Sequence, residues 1–401
     1  MHTSPLAQPG TGDSGGMNVY VRELAGSLAR AGVPVEVFVR RWSAELPDRV
    51  DVEPGLSVIH VDAGPPDAPK EQLPAYIDEY ADAVQTQLLA SRESSADAAV
   101  DVLHANYWLS AVAGHRLKHR LSLPLVATFH TLARVKAEAG DAEPLARAVA
   151  EAETIGCCDA ICASNPVEAE ELVRHYGADP ERIELVPPGV DHAFFSPGDR
   201  VGARAGLGLD QRPTMLFVGR IQPLKGLTVA VEAISLVQRT DSRLVVVGGP
   251  SGSDGDAEFD RVKGLVADLG LTERVTFVDP QPHHALSTLY RSADVVVVPS
   301  RSESFGLVAL EAAACGVPVV AAAVGGLRTL VDDGRTGFLV DGTDPAAMAA
   351  CVDELFADPE LADRMGQAGS TRASDYSWAV TAGRLRRLYS DLSANALVQC
   401  G

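Results

Sequence analysis

The sequence predicts an α/β protein built from two doubly wound domains. Two observations carry this. Short apolar runs rich in β-branched residues alternate with helical patterns along almost the whole chain, and a length of 401 residues suits two domains or three. With 46% hydrophobic residues, each domain has enough apolar side chain for its own core. No repeat of short period and no low-complexity tract interrupts the pattern.

In the first half, strands are expected at residues 35–39, 57–61, 102–104, 125–128, 160–163 and 183–186, with helices between them, as at 17–31 and 166–176. The second half repeats the alternation. Residues 214–219, 243–248, 275–278, 295–299 and 317–321 are too uniformly apolar to leave one face in water, as strands of a parallel sheet are. Helical patterns follow most of them, at 227–237, 257–269, 284–292 and 307–315. Prolines and glycines break both periodicities from Pro187 to Gly198. The expected domains are therefore 1–190 and 191–375. A last helical segment, 376–401, is expected to return toward the first domain. A doubly wound domain normally opens with a strand that delivers its glycine-rich loop to the ligand. Here the loop itself, 1–16, comes first, so the first strand of the N-terminal domain is expected to be missing or to lie upstream.

Charge narrows the partners. Lys and Arg number 34 against 54 Asp and Glu, a net charge of −20. The densest basic stretch, 116–120, is short, so neither nucleic acid nor an anionic membrane surface is an expected partner. No apolar run reaches the roughly 18 to 20 residues that span a bilayer, and the N-terminus lacks the basic start and apolar core of a leader, which makes the cytoplasm the expected location. The six cysteines, Cys157, Cys158, Cys162, Cys315, Cys351 and Cys400, show no paired spacing with histidines placed to complete a zinc site, so reduced thiols are expected.

Three stretches carry chemistry. The run from Gly10 to Asn18 holds five glycines or serines ahead of a helical pattern, where backbone N–H groups can face an anion, although such a run also serves as a plain turn. Arg220 and Lys225 follow a strand of the second domain, where two cations can clamp a diphosphate; the plain alternative is a pair of solvated loop charges. After the strand at 295–299, a helix is expected to start near Ser304, with Glu303 at its mouth and Glu311 about two turns on. A carboxylate there can accept from vicinal sugar hydroxyls. Asp254-Gly255-Asp256 has the look of a metal-binding pair but lies in a Ser/Gly-rich loop, and the adjacent His283 and His284 diverge, so both read as structural.

Arg220, Lys225, Glu303 and Glu311, in this order and context, resemble the donor site of a family 4 glycosyltransferase. The stretches 315–321, 325–327 and 332–340 and the linker 190–197 resemble the rest of that family's second domain. The opening, from His2 to Gly10 and from Gly15 to Val21, is similar to that of the D-inositol 3-phosphate glycosyltransferases that begin mycothiol synthesis. The resemblance implies the GT-B fold, two Rossmann-like domains facing a cleft. It also implies retaining transfer of N-acetylglucosamine from UDP-N-acetylglucosamine to an inositol phosphate. By the same resemblance the donor meets Gln8, Pro9, Gly16, Arg220, Lys225, Glu303, Phe305, Gly306, Leu307 and Glu311, with His130 beside the transferred sugar. The acceptor meets His2, the loop Asp13, Ser14, Gly15, Gly16, Met17 and Asn18, and, at its phosphate, Lys70, Tyr107, Thr131 and Arg147. The catalytic set is then His130, Arg220, Lys225 and Glu303. No cofactor is required and no metal ligand is assigned; Mg2+ is compatible but not implied. A homodimer is compatible too. The alternatives left open are a sucrose-phosphate synthase-like or other family 4 transferase with a sugar-phosphate acceptor, a nucleotide-sugar epimerase, and a non-catalytic nucleotide-sugar binder.

Overall fold

The computed structural model describes residues 1–401 except 11, 13, 95–98, 142, 253, 342, 343 and 401. Contacts divide the chain into two compact units. One comprises Met1–Leu6, Tyr20–Pro187 and Trp378–Gly401; the other comprises Ala7–Val19 and Pro188–Ser377. The glycine-rich segment, which the sequence pattern sets at the head of the first domain, thus groups with the second unit.

The strands of the first unit are β1 (Val35–Arg40), β2 (Arg49–Glu53), β3 (Leu56–Val61), β4 (Leu103–Asn106), β5 (Leu125–Thr128), β6 (Ala160–Ala163) and β7 (Ile183–Leu185). They form two sheets. In one, ordered β1-β3-β2, β1 runs parallel to β3 and β2 antiparallel; in the other, β4-β5-β6-β7, all neighbours are parallel. No strand precedes the helix Gly16–Arg30 among the described residues, and the two sheets share no ladder. β2 is absent from the sequence reading because its charged residues alternate along an exposed edge, a polar pattern that blunts a sheet margin and hides the strand. Alternating residues of β5 and β6 go to opposite cores. Leu125, Ala127, Ile161 and Ala163 pack with Ile155 and Leu172, whereas Val126, Ala160 and Cys162 pack with Tyr20, Leu24 and, from the last helix Trp378–Ala394, Trp378 and Leu385.

The second unit contains β8 (Thr214–Val218), β9 (Arg243–Val247), β10 (Val275–Val278), β11 (Val295–Val298), β12 (Val319–Ala322) and β13 (Gly337–Val340). They make one parallel sheet in the order β10-β9-β8-β11-β12-β13. Met215, Phe217, Val246 and Val297 face one core, and Leu216, Val245, Val296 and Val298 the other. Both faces are covered, which is why these strands read as unbroken apolar runs. The order reverses between β8 and β11, and in open α/β sheets ligands bind beyond the carboxyl ends of such a pair.

The expectation of six reduced thiols is corrected. Cys157 and Cys400, 243 residues apart, form a disulfide, while Cys158, Cys162 and Cys315 are buried free thiols and Cys351 a half-buried one. Local spacing could not show this. The C-terminal tail is led back by the Val398 N–H, which donates to Asp159 Oδ1 at 2.7 Å. No helix among the described residues is long and apolar enough to cross a membrane.

Candidate functional site

In the second unit, the loops after β8 and β11 meet at the switch point. The chain leaves β8 through Gly219 and Arg220 into a short 3-10 turn, Pro223–Lys225, and then Gly226 opens the helix Leu227–Leu236. Gly226 has φ +68°, and a Cβ there would collide with the Pro299 carbonyl of the neighbouring loop, so only glycine lets the two loops close. Arg301 N–H donates to the Leu224 carbonyl at 2.9 Å and ties them together. Lys225 Nζ then reaches Glu303 Oε2 at 2.7 Å, with Ser300 Oγ at 3.4 Å from the same oxygen. The Glu303 backbone is held from behind by the Gly326 N–H, which donates to its carbonyl at 2.9 Å.

The helix expected near Ser304 starts instead at Leu307. Gly306, at φ +101°, ends the loop in a conformation no helix can contain, and its N–H neighbours Leu307 to Ala309 form the open first turn. Phe305 is buried in the core against Tyr376, so its side chain is a packing element and only its backbone faces the loop. Glu311 is also buried. His283 Nε2 lies 2.7 Å from its Oε1, and Tyr290 O–H donates to its Oε2 at 2.8 Å. Burial and the adjacent Glu311 carboxylate push the Tyr290 phenol well above its ordinary pKa, so it stays a donor. The sequence reading of His283 as structural misses this contact, since it joins residues 28 apart. Asp254 and Asp256 sit at the start of the helix Gly255–Asp268, where carboxylates offset the helix dipole.

The segment Ala7–Val19 lies against the same strand ends. Gln8 Nε2 donates to the Pro280 carbonyl at 2.9 Å, Pro9 is half-buried beside it, and Ser251 O–H donates to the Gly12 carbonyl. Asn18 Oδ1 accepts the Gly15 N–H at 2.9 Å and fixes the entry to the helix Gly16–Arg30; Ser14 and Asn18 are buried and Met17 half-buried. A Cβ on Gly15 would stand 3.0 Å from Arg220 Nε, and one on Gly16 3.4 Å from Leu307 Cδ1. The backbone of this loop therefore approaches both Arg220 and the helix start. Asp13 lies outside the described residues.

In the first unit, three sequence-selected residues converge on the aromatic ring of a fourth, Tyr107, and a fifth, Thr131, joins them through Arg147. Tyr107 follows β4 at φ +75°, an unusual conformation for a bulky residue and one that marks functional strand ends. Its ring stacks at 4.2 Å with His2, Lys70 Nζ stands 5.7 Å from the ring centroid, and the Arg147 guanidinium 5.2 Å. Arg147 donates through Nη2 to Thr131 Oγ1 and to its carbonyl, both at 3.0 Å. Sequence reasoning did not find what holds this arginine. Glu151 Oε1 accepts from Nε at 2.8 Å, and Glu143 pairs with Nη1 at 2.9 Å. Burial opposes its charge, but Tyr107, Glu151 and Glu143 outweigh that and raise its pKa. Glu151, fully buried, also accepts the Ala133 N–H at 2.9 Å and the Tyr176 O–H.

His130 follows β5, also at positive φ (+62°), with Nε2 2.9 Å from Asn106 Oδ1 and its ring against Tyr20 at 4.8 Å. Desolvation first, and the nearby His104 second, lower its pKa to about 3. His130 is therefore neutral at physiological pH.

Two Rossmann-like units of this kind are those of a GT-B glycosyltransferase. Residues 203–372 match the model for glycosyl transferases group 1, and residues 14–194 that for glycosyltransferase family 4. The fold is similar to that of a solved sucrose-phosphate synthase from Thermosynechococcus elongatus, at 33% identity, a TM-score of 0.91 and 98% coverage of each chain. A similar fold occurs in Anabaena HepE, solved with UDP and glucose, at 19% identity, a TM-score of 0.77, and 96% and 98% coverage. Similar sequences include the D-inositol 3-phosphate glycosyltransferase of Frankia alni, 46% identical over 99% of this chain and 100% of that protein. Another is the one of Nocardia farcinica, 46% identical over 97% and 88%. The chain belongs to the family 4 glycosyltransferases.

Proposed function

We propose that this glycosyltransferase moves N-acetylglucosamine from UDP-N-acetylglucosamine to 1D-myo-inositol 3-phosphate, with retention of anomeric configuration. The observation that carries the acceptor reading is the convergence of two cations, Lys70 and Arg147, on the Tyr107 ring, with Thr131 hydrogen-bonded to Arg147; such a set can take a phosphate group. Relatives of that name at 44–46% identity support it.

In sugar transfer, the barrier lies in breaking the bond to the diphosphate while positive charge grows on the sugar. Arg220, Lys225 and the first-turn N–H groups after Gly306 stabilise the departing phosphates. Glu303 holds the donor sugar and Glu311 the ribose, each already oriented by its partner, Lys225 or the His283–Tyr290 pair. In a retaining reaction of this kind, a donor phosphate oxygen takes the acceptor proton on the leaving-group face, so the carboxylate pair of a glycosidase is not needed. His130 acts as a neutral hydrogen-bonding group beside the sugar. With Asn106 presenting its oxygen, Nε2 carries the proton and Nδ1 is the acceptor.

The similarity to sucrose-phosphate synthase favours one rival, transfer to a sugar phosphate. Incubation with a panel of nucleotide sugars, each with inositol 3-phosphate or fructose 6-phosphate, separates the two by product mass. A disaccharide phosphate formed only with fructose 6-phosphate overturns the inositol assignment, and an altered sugar nucleotide formed without acceptor overturns transfer altogether.

A further inference from the structure

The first unit carries a second cluster of chemistry-bearing side chains, separate from the residues around Tyr107. His115 and His119 lie one turn apart on the helix Trp108–Leu121, so their rings share a face, 4.9 Å between centroids. Cys157 ends the helix Leu145–Cys157, and Cys400 arrives on the C-terminal tail. One ligand atom from each of the four lies within 4.8 Å of all the others. His119 Nε2 is 3.5 Å from Cys157 Sγ and 3.2 Å from Cys400 Sγ, and His115 Nε2 is 3.8 Å from Cys400 Sγ.

We propose that these four residues, with both cysteines reduced, bind one zinc ion in a tetrahedral S2N2 shell. Zinc takes sulfur at about 2.3 Å and imidazole nitrogen at about 2.0–2.1 Å, which sets ligand atoms roughly 3.3–3.8 Å apart around a tetrahedron. The three nitrogen–sulfur distances, 3.2, 3.5 and 3.8 Å, lie close to that range, and the two sulfurs, joined as a disulfide in this structure, part to take their places in the shell. Two thiolates and two imidazoles are a donor set that suits zinc in softness and geometry. A disulfide alone satisfies both sulfurs and gives no reason for two imidazoles to turn their Nε2 atoms onto them. In binding, each thiol releases its proton to solvent, and the two thiolates balance the ion's charge. From the disulfide, the site first requires two electrons and two protons from a thiol or phosphine reductant.

A buried framework holds the ligands in place. Lys118 Nζ donates to the Cys157 carbonyl at 2.7 Å and pairs with Asp159 Oδ2 at 2.8 Å. The other Asp159 oxygen accepts the Val398 N–H, two residues before Cys400. One carboxylate thus fixes both the helix end and the tail, as outer-shell groups do in metal sites. The ion would staple the C-terminal tail to the body of the unit across a span of 243 residues.

The test uses the untagged full chain, purified with a phosphine reductant, given zinc and desalted. Metal content is read by mass spectrometry, and thiols are counted before and after a chelator. The expected result is about one zinc per chain, two thiols shielded until the chelator is added, and loss of at least nine-tenths of the metal in His119→Ala and in Cys400→Ser, with transfer activity unchanged. His119→Ala is decisive because a plain disulfide does not need the imidazole. A reduced wild-type chain that takes up no zinc overturns the proposal, as does a His119→Ala chain that keeps its zinc.

Discussion

The two regions proposed to meet phosphate groups are built by different means. In the second unit the backbone does most of the construction. Two loops leave adjacent strands at the switch point and close on each other through Gly226, so that Lys225 and Glu303 meet as a consequence of main-chain geometry. In the first unit the construction is by side chains. Lys70, Tyr107, Thr131 and Arg147 come from four separate segments, and two carboxylates, the half-buried Glu143 and the fully buried Glu151, hold Arg147 in place. A backbone-built site changes little when surrounding side chains vary and suits a ligand shared across a family. A side-chain-built site can be retuned one residue at a time and suits the part of the reaction that differs between relatives.

The largest test of this contrast is Lys225→Ala or Glu303→Ala. Either is expected to lower kcat by about 100- to 1000-fold, the usual loss when a group stabilising developing charge is removed, with the circular dichroism spectrum unchanged. Turnover within tenfold of the parent would mean that the loop pair is not the donor site. Next in size is Lys70→Ala. Loss of one charge-assisted hydrogen bond, about 1.5–3 kcal/mol, should raise KM for a phosphorylated acceptor by about 10- to 100-fold and leave KM for the nucleotide sugar near its parent value. Equal effects on both substrates would erase the distinction between the two regions.

A smaller effect is expected from backbone strain. Gly306→Ala places a Cβ 2.7 Å from Leu327 Cδ2 at φ +101°. The left-handed conformation alone costs about 1–2 kcal/mol, a fall in melting temperature of roughly 2–8 °C. Because the first turn of the helix Leu307–Ala314 moves with it, KM for the donor should rise as well. A variant as stable as the parent would show that this loop is not held in the form described.

These differences also explain what was legible in the sequence. The strands of the second unit stand out because both of their faces are buried; Arg220, Lys225, Glu303 and Glu311 lie after strands or near a helix start, which alone does not distinguish them from surface charges, and the resemblance singles them out. The helix after Glu303 is misplaced by three residues in that reading, since the positive φ of Gly306 has no mark in sequence beyond the glycine itself. In the first unit, the residues proposed to meet the acceptor are legible only through resemblance, because no local spacing links residue 70 to residue 147. The clamp of Glu143 and Glu151 on Arg147, the contact of His283 with Glu311, and the meeting of Cys157 with Cys400 are long-range or side-chain choices that periodicity does not encode.

The last effect separates catalysis from stability at His130. Its pKa in the folded chain is about 3, against about 6.5 for an unperturbed histidine. Between those values the unfolded chain binds more protons at this site than the folded one, so stability rises with pH across the window. The contribution is complete above about pH 6.5 and is lost as pH falls toward 3. His104, lowered to about 4 by burial, acts in the same direction. His130→Asn should therefore lose less melting temperature than the parent between pH 7 and pH 4.5. If His130 serves as a neutral hydrogen-bonding group, the same variant lowers kcat without moving any limb of the pH–rate profile between pH 6 and 8. A limb near pH 6.5 that disappears in the variant would instead make His130 a titrating acid or base. The first unit would then supply proton chemistry as well as the proposed phosphate binding, and the division of labour between the two regions would have to be redrawn.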